Sequence, residues 1–446
     1  MMRTTFASML AMAMVALPLA ACGGGGTATG GVPTSKGGAA GGAAGNNEPA
    51  ELVFYGAAGN TEAEFNARWG DYIRKQFPNY TLKYIMNEKG KTLPELIAAG
   101  ETIDIIFDSI GGTASNLIDN GFQYDITELA KKHSVDLNRF EPTFIDAIKQ
   151  MGGLYGLPVN GGGLVIYYNK DIFDKFGAPY PKDGMSWEEL LELSKKVTRM
   201  DGGKQYAGFA TSVVHPMRMN PFSLDVVDRK TLTAAIGNEK WKTLLQTVMI
   251  QPIVQDDGYR QLFTQKKGGL WTDDFAKQQN LAMFMMNFGL QYAVKEFETL
   301  NWDMTAIPTF KDRPGVGTQP YPNYFYITSA SKAKDAAMNV LKYVTSDEHE
   351  TIESKKGNIP VLKNEEIKKV FGQETIYKGK NMKNAVYYNK FAEPHAKTVY
   401  DDKVAGPLDA NIKKVIYGEI DLNTAFRNAE QEANKAIEEM KAARKK

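Results

Sequence analysis

The chain has 446 residues, with 53 Lys and Arg against 52 Asp and Glu, and a single cysteine. That length allows about two domains, and the near-zero net charge excludes a broad basic face for nucleic acid or for an anionic membrane surface. One cysteine excludes an intramolecular disulfide.

At the amino end, Arg3 supplies a positive start, Met9 to Leu19 an apolar middle, and Leu19-Ala20-Ala21 small residues before Cys22. The apolar stretch is too short to span a bilayer as a helix, which needs about 20 such residues. Residues 1–21 resemble the signal peptide of a bacterial lipoprotein. That resemblance implies that Cys22 becomes the lipidated first residue of the mature chain, where two acyl groups give stable anchoring. An ordinary signal peptide cut nearby, with Cys22 discarded or free, is the alternative. Residues 22–50 then read as a tether. Gly23 to Asn47 is almost entirely Gly, Ala, Thr, Ser and Asn with one charge, Lys36, and has too little apolar surface to offset its ordering entropy. About 27 residues of such coil have a root-mean-square span of roughly 30 Å.

The body starts near Glu51. Leu52 to Tyr55 reads as a buried strand, and Phe65, Trp69, Tyr72 and Ile73 fall on one helical stripe after it. Leu82, Tyr84 and Met86 alternate as a strand. Thr92 and Pro94 open a short helix that Gly100 closes. Ile103 to Phe107 forms another strand, followed by Asp108 to Gly112 and a helix stopped by Gly121. This β-α-β-α-β order predicts a parallel sheet with helices on both faces. A second series begins at Leu164 to Tyr168. Ser186-Trp187-Glu188-Glu189 is a capping box opening a helix with Leu190, Leu193 and Val197 inward. Trp241, Leu244, Leu245, Val248 and Met249 mark a further helix. Ala425, Ala429, Ala433, Ala436 and Met440 line a long C-terminal one. No tandem repeat of fixed period is present.

Several segments, in this order, carry a resemblance. They are Glu95 to Gly100 leading into Ile103-Asp104-Ile105-Ile106; Leu154-Tyr155-Gly156-Leu157-Pro158-Val159 followed by Tyr167-Tyr168-Asn169-Lys170 and Phe173; Met185 to Leu190; Ala306-Ile307-Pro308; and Gly357-Asn358-Ile359-Pro360-Val361. Together the run is similar to the extracellular solute-binding proteins that serve ABC importers, in the branch that includes maltodextrin-binding proteins. Thr102-Ile103 stands where the family usually has a proline context. The resemblance implies an α/β fold of two lobes, each a sheet flanked by helices, with a hinge and an interlobe cleft as in periplasmic binding proteins. It places 51–159 plus 304–354 in an N-terminal lobe and 160–303 plus 355–446 in a C-terminal lobe. The expected crossings lie near Val159-Asn160-Gly161, Trp302 to Met304, and Lys355 to Asn358. It further implies a monomer, tethered on the outer face of the cell membrane, that hands a small solute, an oligosaccharide first among them, to the transmembrane subunits of a permease. A lipoprotein that presents its ligand to a membrane sensor kinase and a surface glycoside hydrolase are the alternatives.

Strand ends and helix starts converge at such a cleft and offer fixed donors beside aromatic floors. Asn60 follows the first strand, Asp108 and Ser109 follow the third, and Asn160 sits at the first crossing. Phe222, Asn287 and Phe288 resemble second-lobe loops that supply aromatic platforms. Tyr321 and Tyr324 lie where a returning strand enters the first lobe. Amides and carboxylates can serve the rim of a sugar while a ring covers its apolar face. No catalytic residue, metal or cofactor is expected. His133, His215, His349 and His395 lie far apart, with no pair at metal-ligand spacing on one helix. Phe107 to Gly111 lacks the first glycine of a nucleophile elbow. Gly161-Gly162-Gly163 lacks the spacing and lysine of a phosphate loop. Asp256-Asp257-Gly258 is too short for a calcium loop. Asp273-Asp274 would hydrolyse a glycoside only at a carboxylate separation that the fold must set.

Overall fold

A computed structural model describes residues 48–444. The signal segment, Cys22 and nearly all of the tether lie outside the described residues. No described helix is long and apolar enough to cross a membrane.

Two sheets organise the body. The first contains β1 (Ala50–Gly56), β2 (Tyr80–Met86), β3 (Ile105–Ser109), β4 (Gly156–Asn160) and β10 (Asn323–Ile327), in the order β2-β1-β3-β10-β4. The predicted parallel pairing holds for β1 with β2 and with β3. The returning β10 runs antiparallel between β3 and β4. Pro158 is tolerated because β4 is an edge strand. The third strand starts two residues later than the apolar run suggests. Asp104 is turned inward, where its carboxylate accepts from Val53 N at 2.9 Å and from Ser331 Oγ at 2.6 Å. The second sheet contains β5 (Leu164–Asn169), β6 (Arg199–Asp201), β7 (Lys204–Ala210), β8 (Leu281–Asn287) and β9 (Trp302–Thr305), in the order β6-β7-β8-β5-β9. Gly202 and Gly203, both at positive φ, close the tight β6–β7 hairpin.

Each sheet has its own core. In the first, Trp69 projects from its helix onto Phe107 and Phe325, with ring centroids 5.0 and 5.1 Å away. In the second, Trp302 packs on Phe297, Tyr167 and Tyr377. The capping box at Ser186 is formed, with Glu189 N donating to Ser186 Oγ at 3.2 Å and Ser186 N donating to Glu189 Oε2 at 2.7 Å. The long C-terminal helix Leu422–Arg444 buries Ala425, Phe426, Ala429, Ala433 and Ile437.

Three chain segments pass between the sheets, and two of them differ from expectation. The first, Gly161 to Gly163, joins β4 to β5 and shares Gly161 with the expected Val159-Asn160-Gly161, whose first two residues end β4. A Cβ on Gly162 would sit 2.4 Å from the Tyr321 carbonyl oxygen, so only glycine lets these segments lie side by side. The second does not run through Trp302 to Met304. Those residues form β9, which pairs with β5 and buries Trp302 and Met304 in the second core, so the chain crosses between Thr305 and Asn323. The third is drawn out beyond Lys355 to Asn358. Ile359 packs in the second core, Val361, Leu362 and Ile367 return to the first, and Phe371 lies in the second again.

Candidate ligand-binding cleft

A pocket of about 400 Å³ opens between the two lobes. Its first-lobe wall begins where β1 ends. Tyr84 donates its hydroxyl to the Asn60 carbonyl at 2.6 Å and holds the 57–60 loop. A Cβ on Gly56 would lie 1.9 Å from that hydroxyl. Thr61 then caps a helix through a reciprocal box with Glu64. The helical repeat places Glu64 and Arg68, four residues apart, on one face toward the pocket. β4 delivers Asn160, and the third crossing delivers Lys356, Asn358 and Ile359. The second-lobe wall comes from the end of β8 and the short helix Leu290–Ala293, which supply Phe288 and Tyr292.

The polar groups of the first wall are joined. Arg68 Nε donates to Glu353 Oε2 at 3.1 Å, and Arg68 Nη2 donates to Asn160 Oδ1 at 3.2 Å. Asn358 Nδ2 donates to Glu353 Oε2 at 2.8 Å, and Lys356 Nζ donates to Glu353 Oε1 at 2.9 Å and to the Ala67 carbonyl at 3.1 Å. The Arg68 guanidinium also lies 4.1 Å over the Trp69 ring, so core packing and pocket wall share one helix turn. Across the pocket, Phe288 packs on Phe371 at 5.8 Å, and Tyr292 donates to the Lys356 carbonyl at 3.4 Å. Gly357, at φ +87°, makes that approach possible, since a Cβ there would be 2.1 Å from the Tyr292 hydroxyl.

Of the residues expected at the cleft, Asn60, Asn160 and Phe288 line this pocket. Asn287 ends β8 on the surface, and its carbonyl accepts from Tyr167 Oη at 3.1 Å. Asp108, Ser109 and Tyr321 form a separate group. The Asp108 carboxylate is buried and turned back on its own loop, accepting from Asn116 Nδ2 and Ser109 N at 2.7 Å each. Burial pushes its pKa up to about 6 against those two bonds. The Tyr321 hydroxyl lies over Gly111, and Lys397 Nζ is 5.7 Å from its ring. Two expectations fail. Tyr324 is fully buried and donates to the Phe144 carbonyl, because β10 runs in the middle of the sheet with both neighbours paired. Phe222 packs against Phe310 at 4.7 Å in the second core.

Glu64, Arg68, Tyr292, Lys356 and Asn358 were not foreseen. For the first two a signal exists, a carboxylate and a cation four apart flanking the apolar stripe of Phe65 and Trp69. The acidic pairs named above have structural roles. Asp256 caps the helix Asp257–Gln265, and Asp274 accepts from Trp271 N at 2.8 Å.

Residues 58–351 match the bacterial extracellular solute-binding protein family. A binding protein of Brucella abortus is 27% identical over 337 residues, which span 70% of this chain and 77% of that one. Among solved structures, an ABC substrate-binding protein of Listeria monocytogenes in complex with cycloalternan has a TM-score of 0.68 at 18% identity, covering 87% of this chain and 99% of its own. The cyclic alpha-maltosyl-1,6-maltose binding protein of Arthrobacter globiformis has a TM-score of 0.63 at 18% identity, covering 88% and 100%. At these identities the likeness to the solved structures is one of fold, two lobes around a cleft. With well over half of its length matched, the chain belongs to the bacterial extracellular solute-binding protein family.

Proposed function

We propose that this protein is the receptor of an ABC importer, held at the outer face of the membrane by lipid on Cys22, and that it captures an oligosaccharide for the permease without chemical change. The observation that carries the ligand class is the composition of the interlobe pocket. Phe288 and Tyr292 stand on one wall, and the amides of Asn60, Asn160 and Asn358 on the other. Rings cover the apolar face of a sugar, and amides serve its hydroxyl rim. The carbohydrate ligands of the Listeria and Arthrobacter proteins point the same way. A solute that touches both walls stabilises the closed arrangement by the extra contacts it makes there, which is the differential affinity that closure requires.

The test is thermal unfolding of the purified protein against a panel of neutral oligosaccharides, with chromatography of the sugars afterwards. A ligand at a hundredfold above its Kd adds about 2.7 kcal/mol of stability, and the sugar is recovered intact. Shorter sugars would convert the reading to a hydrolase, and the absence of any shift would remove carbohydrate from it. Anchoring is tested separately. Cys22→Ser is expected to move the protein from the membrane fraction to the medium.

A further inference from the structure

Glu353 is not a wall of the pocket, yet the polar wall ends on it. Its side chain is 4% exposed, on the helix Asp347–Lys355. Three donors that line the pocket converge on its two oxygens: Arg68 and Asn358 on Oε2, Lys356 on Oε1. Removing Glu353 would leave both cations without their carboxylate, so the arrangement depends on it.

The consequence reaches Asn160. An arginine carries donors only, so the Asn160 atom facing Arg68 Nη2 at 3.2 Å must be its oxygen. One lone pair of that oxygen is thereby taken and the amide is oriented with its oxygen toward Arg68, so its two N–H donors are turned away from the guanidinium. The charges are also matched. The two cations of the pocket, Arg68 and Lys356, are set against two carboxylates, Glu353 and the Glu64 of the helix cap. An incoming carboxylate would meet no free cation, and would have to be desolvated beside two like charges.

We propose that Glu353 is a positioning residue that sets the selectivity of the pocket. It keeps Arg68 and Lys356 paired and, through Arg68, orients Asn160 as a donor, so the pocket takes uncharged solutes that present acceptor oxygens and rejects their acidic counterparts. This inference rests on the carbohydrate reading above and adds to it the sign of selectivity and its source.

Titration calorimetry on the purified full-length protein, with neutral gluco-, manno- and arabino-oligosaccharides and with oligogalacturonides, tests it. The native protein is expected to bind a neutral sugar and to bind every acidic one at least about tenfold more weakly. In Glu353→Gln the neutral affinity falls about tenfold and the acidic affinity rises, while Glu353→Asp keeps the native preference. A second readout needs no sugar. The side-chain amide resonances of Asn160, assigned by their loss in Asn160→Asp, shift in ligand-free Glu353→Gln and stay in place in Glu353→Asp. If Glu353→Gln does not fold, Arg68→Lys, which keeps the charge without the Nη2 donor, is expected to move the same resonances and weaken neutral binding. Unmoved Asn160 resonances, or an unchanged neutral preference, would overturn the proposal. If no sugar binds the native protein, the carbohydrate reading falls while the Asn160 resonances still decide the positioning role.

Discussion

The two walls of the interlobe pocket are built on opposite plans. The first-lobe wall is polar and already bonded to itself, with Arg68, Asn160, Lys356 and Asn358 gathered around Glu353. The second-lobe wall is aromatic and loosely held. Tyr292 is 43% exposed and meets the third crossing through one long hydrogen bond. A wall whose donors are pre-set loses little freedom on binding, whereas an exposed ring gains most by being covered. On the proposed function, selectivity belongs to the first wall and much of the affinity to the second. A similar division separates two carboxylates one turn apart on the helix Asp347–Lys355. Glu353 has three side-chain donors, while Glu350, equally buried, accepts from Val361 N at 2.8 Å, and burial pushes its pKa up to about 8.

The largest expected effect falls under the polar wall. Trp69→Ala removes the ring that packs Phe107 and Phe325 and carries Arg68, and should cost about 4 kcal/mol in urea unfolding. A cost below about 1 kcal/mol would mean that the first wall does not rest on the core.

The contrast between the carboxylates makes a pH prediction. The folded-state pKa of Glu350 lies above its ordinary value of 4.5, so the folded chain binds the extra proton between about pH 4.5 and 8. Its contribution to stability is full below that window and is lost as pH rises through it, by roughly 3 kcal/mol or more. Glu350→Gln should flatten this loss, which unfolding free energies at pH 5, 7 and 9 would reveal. A variant that keeps the native slope would show that the proton sits elsewhere.

On the aromatic wall, Phe288→Ala should weaken binding of a neutral oligosaccharide about tenfold, equivalent to 1.4 kcal/mol. Equal binding by calorimetry would move the affinity back to the polar side. An effect of similar size is expected at the contact between the walls. Gly357→Ala forces a side chain into the left-handed region at φ +87° and against the Tyr292 hydroxyl, and should cost about 1–2 kcal/mol of stability. Tyr292→Phe in the same background tests whether the hydroxyl contributes to that cost.

The walls were unequally legible beforehand. Asn60 could be named because it follows the first strand, Asn160 because it sits at the expected first crossing, and Phe288 because its segment resembles second-lobe loops of the family. Tyr324 fails on a different ground, its place where a returning strand enters the first lobe. It follows the start of a strand whose position between β3 and β4 could not be read from its own residues. Glu64 and Arg68 were passed over because helical spacing alone does not say what stands opposite a polar face. The second crossing lies later than expected because Trp302-Asp303-Met304 is too short a segment to be identified as a strand without its partner β5.

The amino-acid sequence by itself determined the local pieces, since period, caps and turn glycines act over a few residues: strands β1 and β5, the Ser186 cap, the long C-terminal helix, and the ordered segments that carry the family likeness. Only the tertiary structure decided which of those pieces meet. Glu353 and Arg68 stand 285 residues apart, and their contact at 3.1 Å exists because two intervening passages of the chain between the lobes return it to the first one. Burial then fixes that contact, because a carboxylate withdrawn from water must be matched by donors.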